Sequence, residues 1–312
     1  MEAAPDIGDP MSVRALKDIT FGSIAGITSK FFEHPFDLTK VRLQSQVLDE
    51  TARFSGPIDC LRQTFKNEGI RGLYRGLPAP IVGAMAENAS LFWAYTELQN
   101  LIRRMSETPE SQRLSLAQLA LAGSGAGSIT SFVLTPIELV KCKMQVQMLM
   151  APSGATLPGP LAVLSSVLRE GGLRGLWLGH TGTFIRETGG GAAWFASKEG
   201  VARLLLQRRH ASDKHELHGW ESAVSGACAG VAYNVALFPA DSVKSTMQTE
   251  QELRPRALGE PGPTFVGTLR AMWRAQGLKG LYAGCGITVA RAIPSSALIF
   301  FIYDGLSKRF SS

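Results

Sequence analysis

The stretch PFDLTK at 35–40 recurs as PIELVK at 136–141 and as PADSVK at 239–244. Each copy has an acidic residue two positions after a proline, a lysine three positions later and a glutamine four positions after the lysine. A single such stretch would be a local pattern. Three copies at nearly constant intervals predict a repeat architecture, which decides the fold.

A second block follows each copy, and in it an aromatic residue lies between two glycines. The blocks are Gly69–Tyr74–Gly76, Gly172–Trp177–Gly179 and Gly277–Tyr282–Gly284. Between the two blocks, apolar residues recur with the i, i+3, i+7 spacing of one helix face. They are Ile58, Leu61 and Phe65, then Leu161, Leu164 and Leu168, then Val266, Leu269 and Trp273. The sequence therefore predicts three repeats, at 1–108, 109–213 and 214–312, each with a short amphipathic helix.

The composition favours a membrane environment. The chain of 312 residues has a net charge of +6 and a pI near 9.2, which favours anionic surroundings. No basic tract or aromatic-rich RNA motif accompanies this charge, so we rank an acidic membrane surface ahead of nucleic acid. The four cysteines lack CxxC-type spacing, and we expect neither a disulfide scaffold nor a metal site.

The predicted fold class is an all-α membrane protein with six transmembrane helices in three pseudo-symmetric two-helix repeats. The helices are predicted at 14–45, 77–104, 113–147, 180–209, 217–248 and 285–309. The mean hydropathy of +0.06 is low for wholly apolar spans, so each helix should have one lipid-facing and one wet side. Gly-x-x-x-Gly spacings in the odd-numbered helices favour close packing in lipid, although a packed soluble helical core is the alternative. The repeated prolines, Pro35, Pro136 and Pro239, should kink these helices at one depth.

The charged residues behind the prolines are predicted to form a ring. Ionisable groups at membrane depth are costly and usually face an interior cavity. Threefold pseudo-symmetry then pairs each acid with the base of the next helix, giving Asp37–Lys141, Glu138–Lys244 and Asp241–Lys40. Gln44, Gln145 and Gln248 lie one turn beyond the bases and should brace the ring by hydrogen bonds. The alternative is local i, i+3 pairing within each helix, which contributes only about 0.2–0.5 kcal/mol.

Charges that the repeats do not share are the candidates for substrate binding. Arg186 and Arg291 each lie seven residues after the closing glycine of their repeat, so they should lie at one depth. Glu187 follows Arg186, and Glu87 lies one turn further along the second helix of the first repeat. This nearly neutral set fits a small amino acid with a cationic side chain, because arginine can bind a carboxylate and glutamates can bind ammonium groups. The alternative is that Arg186 and Glu187 only neutralise each other.

These motifs resemble those of the mitochondrial carrier family over nearly the whole chain. The resemblance implies a short helix on the matrix side in each repeat, one central substrate site, and the proline-linked ring as the matrix gate. It also implies a functional monomer in the mitochondrial inner membrane, without a cleaved presequence or a cofactor. The glycine blocks resemble the cardiolipin sites of the family, where helix N-termini offer N–H groups to phosphate. The residues concerned are Gly69, Gly76, Gly172, Gly179, Gly277 and Gly284.

Within the family, the contexts of the substrate residues resemble the ornithine and basic amino-acid carriers, most of all the fungal ones. The stretches are AENASLF at 86–92, FIRE at 184–187 and ARAIP at 290–294. The resemblance implies three substrate contact points, which are Glu87 with Asn88, Arg186 with Glu187, and Arg291. The resemblance implies exchange of ornithine for a proton, citrulline or another basic amino acid. A carnitine/acylcarnitine carrier is the alternative, since carnitine is also a zwitterion with a fixed cation.

The sequence departs from the family pattern in two ways that concern the gates. Thr246 stands where the other repeats have a second base, Arg42 and Lys143, so we expect the matrix gate to be weakest there. The second gate of the family, on the cytoplasmic side, matches only irregularly, and we expect it to be weak. Its candidate residues are Glu97, Glu199, Arg203, Asp304 and Lys308.

Two other classes of function are less well supported. The five histidines show no zinc-protease spacing, and no serine-nucleophile elbow is present, so we do not expect an enzyme. A non-transporting scaffold on the carrier fold would be expected to lose gate charges. All three proline–acid–base cores are intact here, which favours transport.

Overall fold

The computed structural model describes residues 11–48, 53–107, 114–150, 157–208, 219–253 and 262–310, and the regular structure within these ranges is entirely helical. The helices are α1 (Met11–Ser45), α2 (Pro57–Leu73), α3 (Pro78–Met105), α4 (Leu116–Gln147), α5 (Pro160–Gly175), α6 (His180–Arg208), α7 (Gly219–Ala236), α8 (Phe238–Leu253), α9 (Phe265–Leu281) and α10 (Cys285–Phe310). Each third of the chain supplies a long helical segment, a short helix and a second long helix. The predicted all-α organisation is therefore present.

The third repeat differs from the prediction, because its first long segment is broken. A single helix was expected at 217–248, whereas the structure separates α7 from α8 at Leu237. Pro239 lacks an N–H group, and its ring crowds the carbonyl four residues earlier, which accounts for a break just before it. In contrast, α1 and α4 continue through Pro35 and Pro136.

The short helices α2, α5 and α9 each bend near their C-terminal end, at the first glycine of the second block. The φ angles are 65° at Gly69, 59° at Gly172 and 59° at Gly277. The closing glycines, Gly76, Gly179 and Gly284, have φ angles of 82°, 80° and 80°. Side chains with a Cβ strongly disfavour this left-handed region, so the backbone itself requires glycine at both ends of each block.

Each short helix has an outward face that is apolar. Its most exposed residues include Ile58 at 82%, Leu161 at 81% and Val266 at 53%. The inward face buries other residues of the same helices, namely Cys60, Val163 and Met272. Burial raises the pKa of the Cys60 thiol to about 11. The apolar spacing seen in the sequence therefore marks mainly the outside of these helices, although its middle residues Leu164 and Leu269 pack against the buried clusters.

The long helices close into a ring around the centre of the molecule. The second long helix of each repeat packs against the first long segment of the next, as α3 on α4, α6 on α7 and α10 on α1. At Gly127 on α4 a Cβ would lie only 2.6 Å from the backbone oxygen of Glu187 on α6, so glycine allows this close approach. The ring leaves an interior surface lined by six helices.

One helix among the described residues, Ala117–Gln147, is long and apolar enough by length and composition to cross a membrane. The other long helices carry more charge. In α6, for example, Arg186 and Glu187 lie in the first third of the helix, and both side chains are mostly buried. Interior charges of this kind lower the hydropathy of a helix without exposing the charge on its outer face.

Candidate functional site

Three ion pairs join the repeats at the level of the prolines. They are Lys141–Asp37 at 2.7 Å, Lys244–Glu138 at 2.9 Å and Lys40–Asp241 at 2.5 Å. The structure thus brings together the same acid–base partners that threefold pseudo-symmetry predicts. Local pairing also occurs once, where Lys244 lies 3.1 Å from Asp241 in the same helix. All three acids contact a base of another repeat, so the ring links helices far apart in sequence.

The predicted bracing of the ring by the three glutamines is present only in part, because two of them make hydrogen bonds between repeats and, within the described ranges, none bonds to a charged group of the ring. Gln44 donates from Nε2 to Ser242 Oγ at 3.1 Å, and Gln248 donates to the backbone oxygen of Leu178 at 3.1 Å. The side chain of Gln145 has no hydrogen-bond partner among the described residues. The close packing of Gly179, where a Cβ would lie 3.3 Å from Gln248 Cγ, brings the connector backbone to the glutamine and explains the different partner.

A second layer of contacts lies below the ring. Arg42 is fully buried, donates to both carboxylate oxygens of Glu68 at 2.6 and 2.7 Å, and donates from Nε to the Gln145 backbone oxygen at 3.1 Å. Lys143 pairs with Glu252 at 2.8 Å. At the third position the Thr246 hydroxyl donates to the Gln44 backbone oxygen at 3.1 Å. The third repeat, with Thr246 in place of a base, therefore has a neutral hydrogen bond where the other two repeats have ion pairs.

A cavity of about 170 Å³ lies against the ring and is lined by residues of α1, α3, α4, α6, α8 and α10. Its lining includes Glu87, Arg186 and Arg291, three of the five predicted substrate residues. Asn88 is exposed and is not part of this lining. Glu187 also lies outside the lining, where it contacts Arg186. Three of the five predicted substrate residues therefore line the cavity, and the other two do not.

Arg186 contacts two carboxylates. Its Nη2 lies 2.6 Å from Glu187 and 2.9 Å from Glu138 of the ring. The expected alternative, in which Arg186 and Glu187 neutralise each other, describes one of these contacts. The second contact connects the cavity wall directly to a gate candidate.

Arg291 is held in a similar way on the other side of the cavity. Its Nη1 lies 3.0 Å from Glu33, and its Nε lies 3.1 Å from Asp37 of the ring. Both cavity arginines thus contact a ring carboxylate as well as a second acid. A ligand carboxylate that binds either arginine would compete with the ring for the same guanidinium.

Glu87 differs from the other cavity acids, since its carboxylate makes no ion pair or side-chain hydrogen bond with the part of the chain described here. The other acids that line the cavity are Asp37, Glu138 and Asp241, and each is paired with at least one base. Glu87 is therefore a carboxylate available to a cationic ligand.

Three interior residues were missed in the sequence. Glu33 contacts Arg291, Lys30 lines the cavity, and the ring of Tyr233 packs against Gly190 near Arg186. A comparison of the repeats could have identified Glu33, because the corresponding positions are apolar. Lys30 and Tyr233 carry no repeat signal of that kind.

The predicted cytoplasmic gate is only partly described. Glu97 is exposed on α3, and Arg203 donates to Glu199 at 3.0 Å within α6. The side chains of Asp304 and Lys308 lie outside the described residues. This gate stays a prediction.

The glycine blocks are well defined as backbone, and their role in lipid binding stays a prediction. All six glycines have positive φ, which explains the residue type without any ligand. Among the described residues, no group of three or more histidines, cysteines, aspartates or glutamates could hold a metal ion.

The comparisons with known proteins agree with this architecture. The mitochondrial carrier protein family model matches residues 12–106, 112–209 and 215–312. Mitochondrial ornithine transporter 1 of Saccharomyces cerevisiae is 41% identical over 94% of this chain and 95% of its own length. A mitochondrial carnitine/acylcarnitine carrier-like protein of Arabidopsis thaliana is 36% identical over 93% of this chain and 97% of its own length. The human mitochondrial carnitine/acylcarnitine carrier protein is 30% identical over 95% of this chain and 94% of its own length.

These matches confirm the resemblance on which the sequence interpretation rests, including its likeness to an ornithine carrier. The family model covers all three predicted repeats, and the full-length relatives are transporters by name. The chain therefore belongs to the mitochondrial carrier family, and it is a transporter rather than an enzyme.

Proposed function

We propose that this protein exchanges ornithine, and related basic amino acids, citrulline or protons, across the mitochondrial inner membrane by alternating access. The observation that carries the proposal is the charge arrangement of the cavity. Two arginines, Arg186 and Arg291, line it together with one unpaired carboxylate, Glu87. The similarity to the yeast ornithine transporter supports the same substrate class.

The proposed topology has six transmembrane segments, formed by α1, α3, α4, α6, α7 with α8, and α10. The short helices α2, α5 and α9 lie along the matrix face of the membrane. Their exposed apolar residues, such as Ile58, Leu161 and Trp273, support this arrangement, because an amphipathic helix buries such a face at the membrane interface. One chain encloses the whole cavity, which supports a functional monomer.

The proposed binding mode follows from the chemistry of a diamino acid. The α-carboxylate accepts hydrogen bonds from Arg186 or Arg291, whose planar guanidinium groups suit a carboxylate. An ammonium group of the substrate binds Glu87. A substrate with several negative charges would lack enough unpaired bases here, because each arginine already contacts two acids.

The proposed gate is the ring of ion pairs on the matrix side. With the ring closed, the cavity is open only toward the opposite side. Binding of a substrate carboxylate to Arg186 or Arg291 removes a partner from Glu138 or Asp37, and this weakens the ring. The six glycines of the second blocks are proposed to bind cardiolipin, because helix N-termini next to them can donate N–H groups to phosphate.

The test is uptake into liposomes that contain the purified protein and are preloaded with unlabelled ornithine. Labelled ornithine should enter in exchange, and liposomes without an internal substrate should take up little. Uptake of labelled carnitine into carnitine-loaded liposomes, with no ornithine uptake into ornithine-loaded ones, would show the alternative function instead. Absence of exchange for both substrates, with folded protein, would support a non-transporting scaffold.

A further inference from the structure

One carboxylate beside the cavity has no counterpart in the other two repeats. Glu33 lies two positions before Pro35, and the corresponding residues of the other repeats are Leu134 and Leu237. Its side chain is only 10% exposed. A buried charge costs considerable desolvation free energy, and the repeat fold forms twice with leucine at this position. The contacts of Glu33 should therefore explain why a carboxylate is present.

Glu33 contacts two bases and two hydroxyl groups. Its Oε2 lies 2.9 Å from Lys30 Nζ and 3.0 Å from Arg291 Nη1. The Ser295 hydroxyl donates to Oε1, and the Ser29 hydroxyl donates to the same oxygen at 3.4 Å. Both bases line the cavity. Glu33 thus lies behind the cavity wall and orients groups that face it.

The contact with Arg291 is shared with the gate. Asp37 lies one helical turn after Glu33 on α1, and it contacts the Nε edge of the same guanidinium at 3.1 Å. Asp37 also accepts a hydrogen bond from Lys141 in the ring. Arg291 therefore bridges a gate carboxylate and a carboxylate that takes no part in the gate. A guanidinium has five N–H donors, so it can hold both acids and still present donors to the cavity.

We propose that Glu33 is a positioning residue for Arg291. It holds the guanidinium at the cavity wall, where the carboxylate of the substrate reaches it, and limits its interaction with Asp37. Without the charge of Glu33, Asp37 is the remaining carboxylate in contact with Arg291, and the guanidinium turns toward the gate. This inference rests on the proposed function, in which the cavity arginines bind the α-carboxylate of an amino acid.

A purely structural role for Glu33 makes a different prediction. If Glu33 only ties α1 to α10 through Ser29 and Ser295, its removal should affect every substrate equally. If it positions Arg291, removal should weaken binding of a substrate that has a carboxylate and leave a substrate without one unaffected. Ornithine and 1,4-diaminobutane form the matched pair, because they share two amino groups and differ in the α-carboxylate.

The experiment measures labelled ornithine uptake into ornithine-loaded liposomes, with 1,4-diaminobutane as a competitor. In Glu33→Gln the KM for ornithine should rise by about tenfold or more, as for loss of a charge-assisted hydrogen bond. The inhibition constant of the diamine should stay within about twofold of wild type, as for a site whose contacts are unchanged. Ser295→Ala is the control, since it removes a neutral donor to Glu33 and keeps the charge. Its two constants should both stay near those of wild type.

A second comparison uses Arg291→Gln and the double variant with Glu33→Gln, in which both charges of the pair are removed together. If Glu33 acts through Arg291, the double variant binds ornithine as tightly as Arg291→Gln does, and its preference for ornithine over the diamine is lost. Binding is measured by the ligand-induced rise in the unfolding temperature of the purified protein, because exchange is expected to be lost without Arg291. A further weakening of ornithine binding in the double variant, a preference that persists there, or an equal rise for ornithine and the diamine in Glu33→Gln overturns the proposal. The preference of the double variant can be measured even where Glu33→Gln does not fold, because removing a buried pair is tolerated better than removing one partner.

The two proposals fail in different ways. Wild-type protein that takes up no ornithine contradicts the proposed function. Wild-type protein that exchanges ornithine, with an unchanged KM in Glu33→Gln, contradicts the role of Glu33 alone.

Discussion

At the scale of single residues, the charged residues that line the cavity are of two kinds. Some are free to bind a substrate, and others also stabilise the fold through ion pairs. Glu87 has no side-chain partner in the described part of the molecule, so Glu87→Gln should change the free energy of unfolding by no more than about 0.5 kcal/mol. Ornithine exchange should nevertheless fall to background, because the carboxylate that receives the substrate ammonium is lost. Thermal unfolding of the purified protein and liposome exchange measure the two effects. A fully active Glu87→Gln variant would remove this residue from the site.

Arg291→Ala should behave differently, although it also lines the cavity. Its removal leaves Glu33 and Asp37 without their shared base in a sheltered interior. Breaking buried ion pairs in this way typically costs about 3–5 kcal/mol. We therefore expect a clear decrease in the unfolding temperature together with loss of exchange. A variant as stable as wild type would mean that water or Lys30 compensates the two carboxylates.

The contacts of the ring and of the residues around it differ in how far sequence predicts them. The pairs of the ring follow from repeat spacing and threefold symmetry, and the structure contains all three of them. The partners of Gln44 and Gln248 could not be predicted in this way, because they depend on nearby backbone and on a serine at position 242. The role of Glu33 was missed for a different reason, since the unshared charges considered as substrate residues all lie on the second long helix of a repeat, whereas Glu33 lies on α1.

At the scale of structural elements, the connectors between short and long helices depend on the closing glycines. Gly284 has φ of 80°, and a Cβ there would lie 3.2 Å from the Cα of Lys40, a ring residue. Gly284→Ala should therefore destabilise the protein by about 1–2 kcal/mol from backbone strain alone. The crowding at Lys40 should also reduce exchange. Unfolding temperature and exchange rate measure these changes.

Gly286→Ala is the matched control for this prediction. Gly286 lies in α10 without a positive φ, and a Cβ added there would have no atom within 4 Å. Alanine is favoured over glycine in a helix by roughly 0.5–1 kcal/mol, so this variant should be as stable as wild type or slightly more stable. Equal destabilisation by both substitutions would contradict the assignment of strain to Gly284.

The helices themselves illustrate where sequence patterns reach their limit. The positions of the long helices follow from hydrophobic spacing and the glycine blocks. The break at Leu237 does not follow, because Pro35 and Pro136 occupy the same repeat position within continuous helices. A proline removes a backbone donor wherever it occurs, and the surrounding packing decides whether the helix bends or breaks. The proline motif is the same in all three repeats, so the sequence could not predict that only the third repeat would have a broken helix.

At the scale of the whole molecule, the proposed mechanism uses the same charges for substrate binding and for gating. Arg186 contacts Glu138 and Arg291 contacts Asp37, so two of the three ring acids are also partners of the cavity arginines. A substrate carboxylate that binds these arginines would weaken their contacts with Glu138 and Asp37 directly. No further residue is needed to connect the binding site to the ring. Within the described part of the chain, the ion-pair partners of the third acid, Asp241, are both lysines, Lys40 and Lys244. Threefold symmetry accounts for the ring of ion pairs, and in the proposed mechanism the two arginines, which have no counterpart in the first repeat, make this ring respond to the substrate.

The layer below the ring tests how far this symmetry determines the gate. The first repeat has the buried Arg42–Glu68 pair, whereas the third has Thr246 and Gln276 at the corresponding positions. Thr246→Arg alone should destabilise the protein by about 3–5 kcal/mol, because it buries an unpaired charge. Adding Gln276→Glu supplies the acid of the first repeat and should recover most of that loss. The double variant should also exchange ornithine more slowly than wild type, since the introduced guanidinium can donate to the Gln44 backbone as Arg42 does to Gln145, and this stronger contact between repeats must break on opening.

Thermal unfolding of the four proteins in this double-mutant cycle measures the coupling. Additive effects, or a double variant that exchanges as fast as wild type, would contradict the assignment of Thr246 to the weakest part of the gate.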